Sequence, residues 1–521
     1  MKAPTCKTPI TTTRGATMID IGSRREVFFD NLLIDEEKTT AELRVNKLIR
    51  REVAMELNEP WEGSYCGYPN VFYAEGKWRL YYGCAGKDSP GRGGIAYAES
   101  IDGIHWVRPN LGIVEFNGST ENNLICDGRI LLDEWKCIKL NDAYVFYDEN
   151  PDCPKDEKYK MIMSDGNKGL ASLLSEDGLH FKFCQVITRD GAFDSQNIAL
   201  WDKEKRKYLC YYRGKHKPMP EVTFDELSFD QPIANALFDS ETMSHRLPES
   251  FDEAYMRDVR VIESTDFRNW TKNKLITMKN DKVQLYTNGV SVYPRAPHLF
   301  VSFPTRYNER KAWTPNYDEL CGKEIRLHRI KNDIAREGLA LTDGIFMCSR
   351  NGYDFTRYDE AILPPPPENI NSWVYGDGYN ALGLIETPSD IPGADNEYSL
   401  LVIENYRASE GGVLLVRYTS RLDGFVSRHA GEEEKTLVTK EFTYNGEDLF
   451  VNIASSAKGC AYFTLKHGAE SYVSYETFGN STDKRVHFLD EDAVRKLSGK
   501  PVTLEIKMLD CDLYALRFGK S

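Results

Sequence analysis

The sequence predicts an all-β chain: a five-bladed β-propeller over about residues 24–429, then a C-terminal β-sandwich over 430–521. Three observations predict it. First, one short phrase recurs: YAESIDGIHW (97–106), SLLSEDGLHF (172–181), VIESTDFRNW (261–270), MCSRNGYDFTRY (347–358) and, more loosely, RYTSRLDGFVS (417–427). Each copy is a short β-run, a Ser, a spacer, then Asp or Asn with Gly or Phe. Such residues supply the positive backbone angles of tight turns and hydrogen-bond their amides. Second, the copies recur at roughly 70 to 90 residues, a spacing that fits four-stranded blades carrying insertions. Third, the chain holds 29 Tyr, 24 Phe and 8 Trp, a composition that favours strands, and helical periodicity is scarce.

The elements follow in order. Residues 1–23 read as a lead-in without an apolar h-region, so no signal peptide is expected. A cytoplasmic protein is the expectation, or a secreted or periplasmic one if a signal has been removed. REVFFDNLLID (25–35) reads as a strand that could close the ring by joining the last blade. NVFYAEGKWRLYYGCAG, YVFYDENPDCPKDEKYKMIMS, IALWDKEKRKYLCYYRGK and VSVYPRAPHLFVSFPTRY each read as strand, turn, strand. Weak helical candidates lie near 328–338 and 490–498. Beyond 430, TLVTKEFTYNGEDLFVNIASS and PVTLEIKMLDCDLYALRF alternate as sandwich strands do, without the marker. The run Glu432, Glu433, Glu434 reads as solvated charge.

A net charge of −14 and the lack of a basic patch argue against a nucleic-acid or anionic-membrane partner, and no apolar run is long enough for a membrane span. The 12 cysteines show no CxxC pair and no zinc spacing, so reduced core thiols are expected. No cofactor is expected; Ca²⁺ would be chemically reasonable in an oxygen-rich cavity, but no EF-hand-like loop demands it. Composition sets no oligomeric state.

PWEG (60–63), AESIDGIHWVRPNLGIVEFNGSTENN (98–123), FDSQN (193–197), YTNGVSVYPRAPHLFVSFPTRY (286–307) and the closing DLYALRF together resemble a bacterial glycoside-hydrolase-like family. That family is related to the five-bladed propeller glycosidases of the β-fructosidase and arabinanase type. The resemblance implies a propeller and a carbohydrate substrate. The chain lacks the WMNDPNG-type opening and EC motif of true fructosidases, so fructan is not implied.

In a propeller, residues at the starts of the innermost strands converge on the axis, and glycoside hydrolysis needs two carboxyl groups there. The catalytic candidates are Asp194 in FDSQN, Glu404 within the apolar LLVIENY, and Glu62 beside Trp61 and Tyr65. Asp142, Gln196, Asn197, Asn288, Trp373, Tyr375 and Asp377 open other inner strands and are candidate substrate contacts. Arg213, Arg260 and Arg306 interrupt or end apolar strands; they are structural ion pairs or clamps for an acidic sugar. The marker aspartates Asp102, Asp177 and Asp266 are assigned to turns. The function expected is a glycosidase. The alternatives are a glycoside phosphorylase on the same fold and a carbohydrate-binding propeller without turnover.

Overall fold

The computed structural model describes residues 18–63, 66–84, 93–137, 142–166, 169–216, 256–279, 283–309, 315–332, 338–406 and 412–520. Five sheets form a five-bladed β-propeller. Blade one pairs Gly67–Ala74, Lys77–Cys84, Gly94–Ser100 and Leu124–Asp127 in chain order. Blade two runs from Tyr144–Tyr147 to Lys182–Thr188, and blade three from Ile198–Asp202 to Lys274–Leu275, on the same plan. In blade four the long strand Ala340–Ser349 pairs with Phe300–Ser302 at one end and Thr305–Glu309 at the other. Its sheet therefore holds six strands.

Blade five is built from distant parts of the chain. Tyr379–Asn380 and Ile385–Thr387 pair with Glu397–Glu404, then Val413–Arg421 follows, and the outer strand is the N-terminal Ile49–Leu57. The strand expected to close the ring at 25–35 lies elsewhere. Glu26–Val27 pairs with Thr503–Gly519, Ile19–Gly22 with Phe442–Tyr444, and Glu42–Val45 with Val426–Ala430. Pairing thus puts 19–45 with the C-terminal sheets, and the ring starts only at Ile49. The reason is visible in burial. IRREVAMEL carries charges on a mostly exposed edge, as edge strands do, whereas Phe28 and Phe29 are fully buried in the turn that follows Glu26–Val27.

The C-terminal eight-stranded sheet is dominated by Asp448–His467 and Thr503–Gly519, whose pairing breaks register between Ser455 and Cys460. Both halves of these strands feed one core, with Leu449 and Val451 from one side of the break and Phe463, Leu465 and Ile506 from the other. Short helices occur at Gly128–Asp133, Pro315–Glu319, Lys323–Asn332 and Ala493–Leu497, the last two close to the helical candidates; residues 333–337 lie outside the described residues. None of the described helices is long and apolar enough to cross a membrane. The described cysteines are free thiols.

The recurring phrase sits at the end of the third strand in blades one to three, and at the end of the long strand in blade four. In blade one Ser100 Oγ lies 3.0 Å from Asp102, and Asp102 Oδ1 accepts from the amides of Ile104 and His105 at 2.9 and 2.8 Å. Blade two repeats this with Ser175 and Asp177, blade three with Ser264 and Asp266, and blade four with Ser349 and Asn351. These turns also lock neighbouring blades together. Tyr81 of blade one donates to Gly178 O of blade two at 3.0 Å, and Tyr211 of blade three donates to Gly352 O of blade four at 2.9 Å. Blade two's Gln185 amide donates to Arg268 O of blade three at 2.9 Å. The fifth, looser copy has a different partner. Asp423, fully buried, accepts from Tyr293 Oη at 2.6 Å, Arg295 Nε at 3.1 Å, Arg25 Nη1 at 3.3 Å and Asn452 Nδ2 at 3.1 Å. It joins blade four, the N-terminal segment and the C-terminal sheet.

Candidate functional site

The innermost strands of all five blades enclose the axis. Their far ends line a cavity of about 470 Å³ whose walls include Phe72, Tyr144, Phe146, Trp201 and Leu382. Polar groups gather at the opposite end, where the inner strands start. Blade three supplies FDSQN there, between Gly191 and the strand Ile198–Asp202. Its Asn197 braces the loop, donating to Ser195 O at 2.7 Å and accepting from Arg213 N at 3.2 Å. Gln196 reaches across to Tyr68 O of blade one at 2.9 Å, Ser195 Oγ to Tyr286 O of blade four at 2.9 Å, and Asn288 to Gln196 O at 3.4 Å. The polar crowding read as substrate contacts is therefore largely a set of bonds stitching blades one, three and four.

Asp194 alone of this loop turns outward. Its side chain is 54% exposed and forms an ion pair with the Arg213 guanidinium, which is buried and lies 5.5 Å from the centre of the Tyr286 ring. Around Tyr286 stand Tyr379 (5.6 Å, stacked), Tyr307 (6.4 Å, stacked) and Tyr375 (5.4 Å, edge-on), and Tyr379 meets Tyr68 and Tyr406. Burial, then the neighbouring phenols, push the Tyr68 and Tyr379 hydroxyls well above the ordinary range, so these two stay neutral; Arg213 pulls Tyr68 partly back. The Tyr379 hydroxyl is buried and has no hydrogen-bond partner among the described residues. Tyr68 sits at φ +49, an uncommon backbone angle for a bulky residue.

The other expected residues divide. Asp142 is buried at the start of blade two's inner strand; burial above all, with the charges of Asp165 and Asp142, raises the nearby Cys137 thiol to about 12. Tyr375 belongs to the tyrosine wall. Asp377 accepts from Val374 N at 3.2 Å and closes a tight turn, and Trp373 donates to Pro366 O at 2.8 Å. Arg260 is held by Asp258 at 3.2 Å and Asp190 at 3.3 Å; Arg306 pairs with Asp343. Both are ion pairs inside the scaffold.

Glu62 and Glu404 are each held by hydrogen bonds within their own blade. Glu62 is fully buried in blade one and saturated by Tyr82 Oη at 2.6 Å, Arg108 Nε at 3.0 Å and the Glu59 amide at 2.9 Å. Glu404 accepts from Arg50 at 2.8 and 2.9 Å and from Tyr418 Oη at 2.7 Å, which ties three strands of blade five. A carboxylate in an apolar strand needs a partner, and here each found one within its own blade. Tyr65, expected beside Glu62, lies outside the described residues. Tyr68, Tyr286, Tyr379 and Arg257 had no place among the residues expected from sequence. A tyrosine next to the start of several inner strands was the available signal, hidden by the abundance of tyrosine.

No family model and no curated protein matches this chain. Solved structures do. BT0996, solved as an RGII complex, is similar at 13% identity and TM-score 0.43, covering 72% of this chain and 92% of that one. A glycoside hydrolase is similar at 14% identity and TM-score 0.42, with the same coverage. A glycoside hydrolase family 43 arabinoxylan arabinofuranohydrolase from Bacillus subtilis, in complex with cellotetraose, is similar at 9% identity and TM-score 0.38, covering 91% of this chain and 99% of that one. The likeness is distant, and the propeller described above stands on its own strand pairing.

Proposed function

We propose that the protein acts on carbohydrate as a glycoside hydrolase, with its site at the mouth of the axis around Asp194. One observation carries this reading most: an exposed carboxylate paired to a buried guanidinium, beside a tyrosine wall on the propeller axis. Tyrosine faces suit the C–H faces of sugar rings, and their hydroxyls suit sugar hydroxyls. Hydrolysis of a glycosidic bond needs one ionised and one protonated carboxyl group. In this proposal Asp194, paired to Arg213, takes the ionised role. Asp142, at the start of the adjacent inner strand, takes the proton-donating role. A second reading, sugar binding without turnover, is favoured by the saturation of Glu62 and Glu404 within their blades.

Turnover separates the two. Released sugar is measured over a panel of aryl-glycosides and oligosaccharides for wild type, Asp194→Asn and Asp142→Asn. The hydrolase reading expects turnover by wild type and a loss of about 10²- to 10⁴-fold in each variant. Sugar binding with no turnover in wild type establishes the second reading instead.

A further inference from the structure

Blade three places further cations beside the same mouth. In blade three, Arg213–Gly214–Lys215–His216 pairs antiparallel with Met256–Arg257–Asp258–Val259, so that Lys215 stands opposite Arg257 and Gly214 opposite Asp258. Residues directly opposite share a face, and side chains alternate between faces along each strand. One face therefore bears His216, Asp258 and Arg260, and it is balanced: Asp258 accepts from Arg260 Nε at 3.2 Å and lies 3.0 Å from His216 Nδ1. The other face bears Arg213, Lys215 and Arg257.

That second face looks onto the tyrosine wall. Arg213 lies over Tyr286, and Arg257 lies 4.4 Å from the centre of the Tyr307 ring; the two rings are stacked 6.4 Å apart. Arg213 has Asp194 as its carboxylate partner. Arg257 has none among the described residues, and its one hydrogen bond among them, 2.6 Å, goes to the neutral Oε1 of Gln284. Gln284 is completely buried, and its Nε2 donor has no partner among the described residues. Burial depresses the Arg213 guanidinium below its ordinary value, and the Arg257 cation adds to that fall. Arg257 is thus a second cation beside the buried Arg213, next to an amide donor with no partner among the described residues. An anion that accepts from both Arg257 and Gln284 Nε2 satisfies the donor and offsets the second cation.

We propose that Arg257, with the Gln284 amide and the Tyr307 face, forms a subsite for the carboxylate of an acidic sugar, a uronic acid. The inference rests on the carbohydrate-site reading above and deepens it. A guanidinium takes a carboxylate through two parallel N–H···O bonds, and Gln284 Nε2 supplies a further donor. The adjacent tyrosine wall takes the ring that carries the acid.

The test measures binding by calorimetry and turnover in parallel. The binding ligands are galacturonic and glucuronic acids, their neutral counterparts galactose and glucose, and a sulfated galactose. Turnover is followed on aryl-uronides and the matching neutral aryl-glycosides. Wild type is expected to prefer the uronates, and Arg257→Gln is expected to cut that preference by about 10- to 100-fold. Arg257→Lys, which keeps the charge and loses the fork, restores it in part. Raising the salt weakens uronate binding to wild type more than neutral-sugar binding, a readout needing no variant. Equal binding of uronate and neutral sugar by wild type, a preference that survives Arg257→Gln, or a stronger preference for the sulfated sugar overturns the inference. Arg257-dependent uronate binding without turnover keeps the subsite and sinks the hydrolase reading. Turnover confined to neutral glycosides does the reverse.

Discussion

Carboxylates in this chain take their roles from what lies within reach of their oxygens. Asp194 and Glu62 are equivalent as sequence, each a carboxylate just before an inner strand. In the fold one is half exposed beside a buried arginine, and the other is enclosed by Tyr82 and Arg108. Their substitutions therefore separate. Asp194→Asn should remove activity and also lower the thermal midpoint, because the buried Arg213 loses its carboxylate partner. Glu62→Ala should cost about 1–3 kcal/mol of stability by stranding buried donors, read as a lower urea midpoint. Glu26 adds a pH dependence. Burial raises its carboxyl, but His298, 3.4 Å away, and the charges of Arg350 and Arg24 outweigh that and bring it from 4.5 to about 2. A carboxyl depressed by folding stabilises the native state above its unfolded pKa and ceases to as pH falls through the folded one. Stability should thus decline on acidification from about pH 4.5 toward 2, and Glu26→Gln should flatten that part of a denaturation-versus-pH curve.

The blade is the element whose logic the sequence displays most openly. Ser, spacer, Asp and Gly recur because one turn does two jobs: it ends the third strand and docks on the neighbouring blade. Gly178 illustrates the constraint. Its φ is +79, and a Cβ there would meet Tyr81 Oη at 2.7 Å and Tyr159 at 2.8 Å. Gly112 has a similar φ of +70 with nothing within 4 Å. Gly178→Ala should therefore lower the thermal midpoint more than Gly112→Ala, the first suffering both backbone strain and a clash, the second backbone strain alone. Equal losses would mean that the turn does not lock the blades. The marker told the blade count because it is local, set by residues two or three apart. The site was less legible because Gln196, Asn197 and Asn288 are held by backbone groups, two of them on other blades, that no local pattern reveals.

At the scale of the molecule, sequence-distant segments are knitted into both units. Ile49–Leu57 closes the ring, residues 19–45 pair with the C-terminal sheets, and Asp423 holds the joint. None of this long-range pairing has a signature in a single sequence; in the charged closing strand the apolar alternation is confined to Val53, Met55 and Leu57. Removing the Asp423 carboxylate leaves Arg25, Arg295 and Tyr293 facing a buried gap. Asp423→Ala should therefore lose about 3–5 kcal/mol and split one unfolding transition into two, visible by calorimetry. The axis gives the molecule its proposed task, because there blades three, four and five bring Asp194, Arg213 and the tyrosine wall together. The most direct measurement is a crystal structure of Asp194→Asn soaked with a glycoside that wild type turns over. The expected result is a sugar ring against Tyr286 and Tyr379, with its glycosidic oxygen within hydrogen-bonding reach of residue 194 or Asp142. A sugar bound only elsewhere on the protein, with the axial mouth empty, would contradict the assignment of the site.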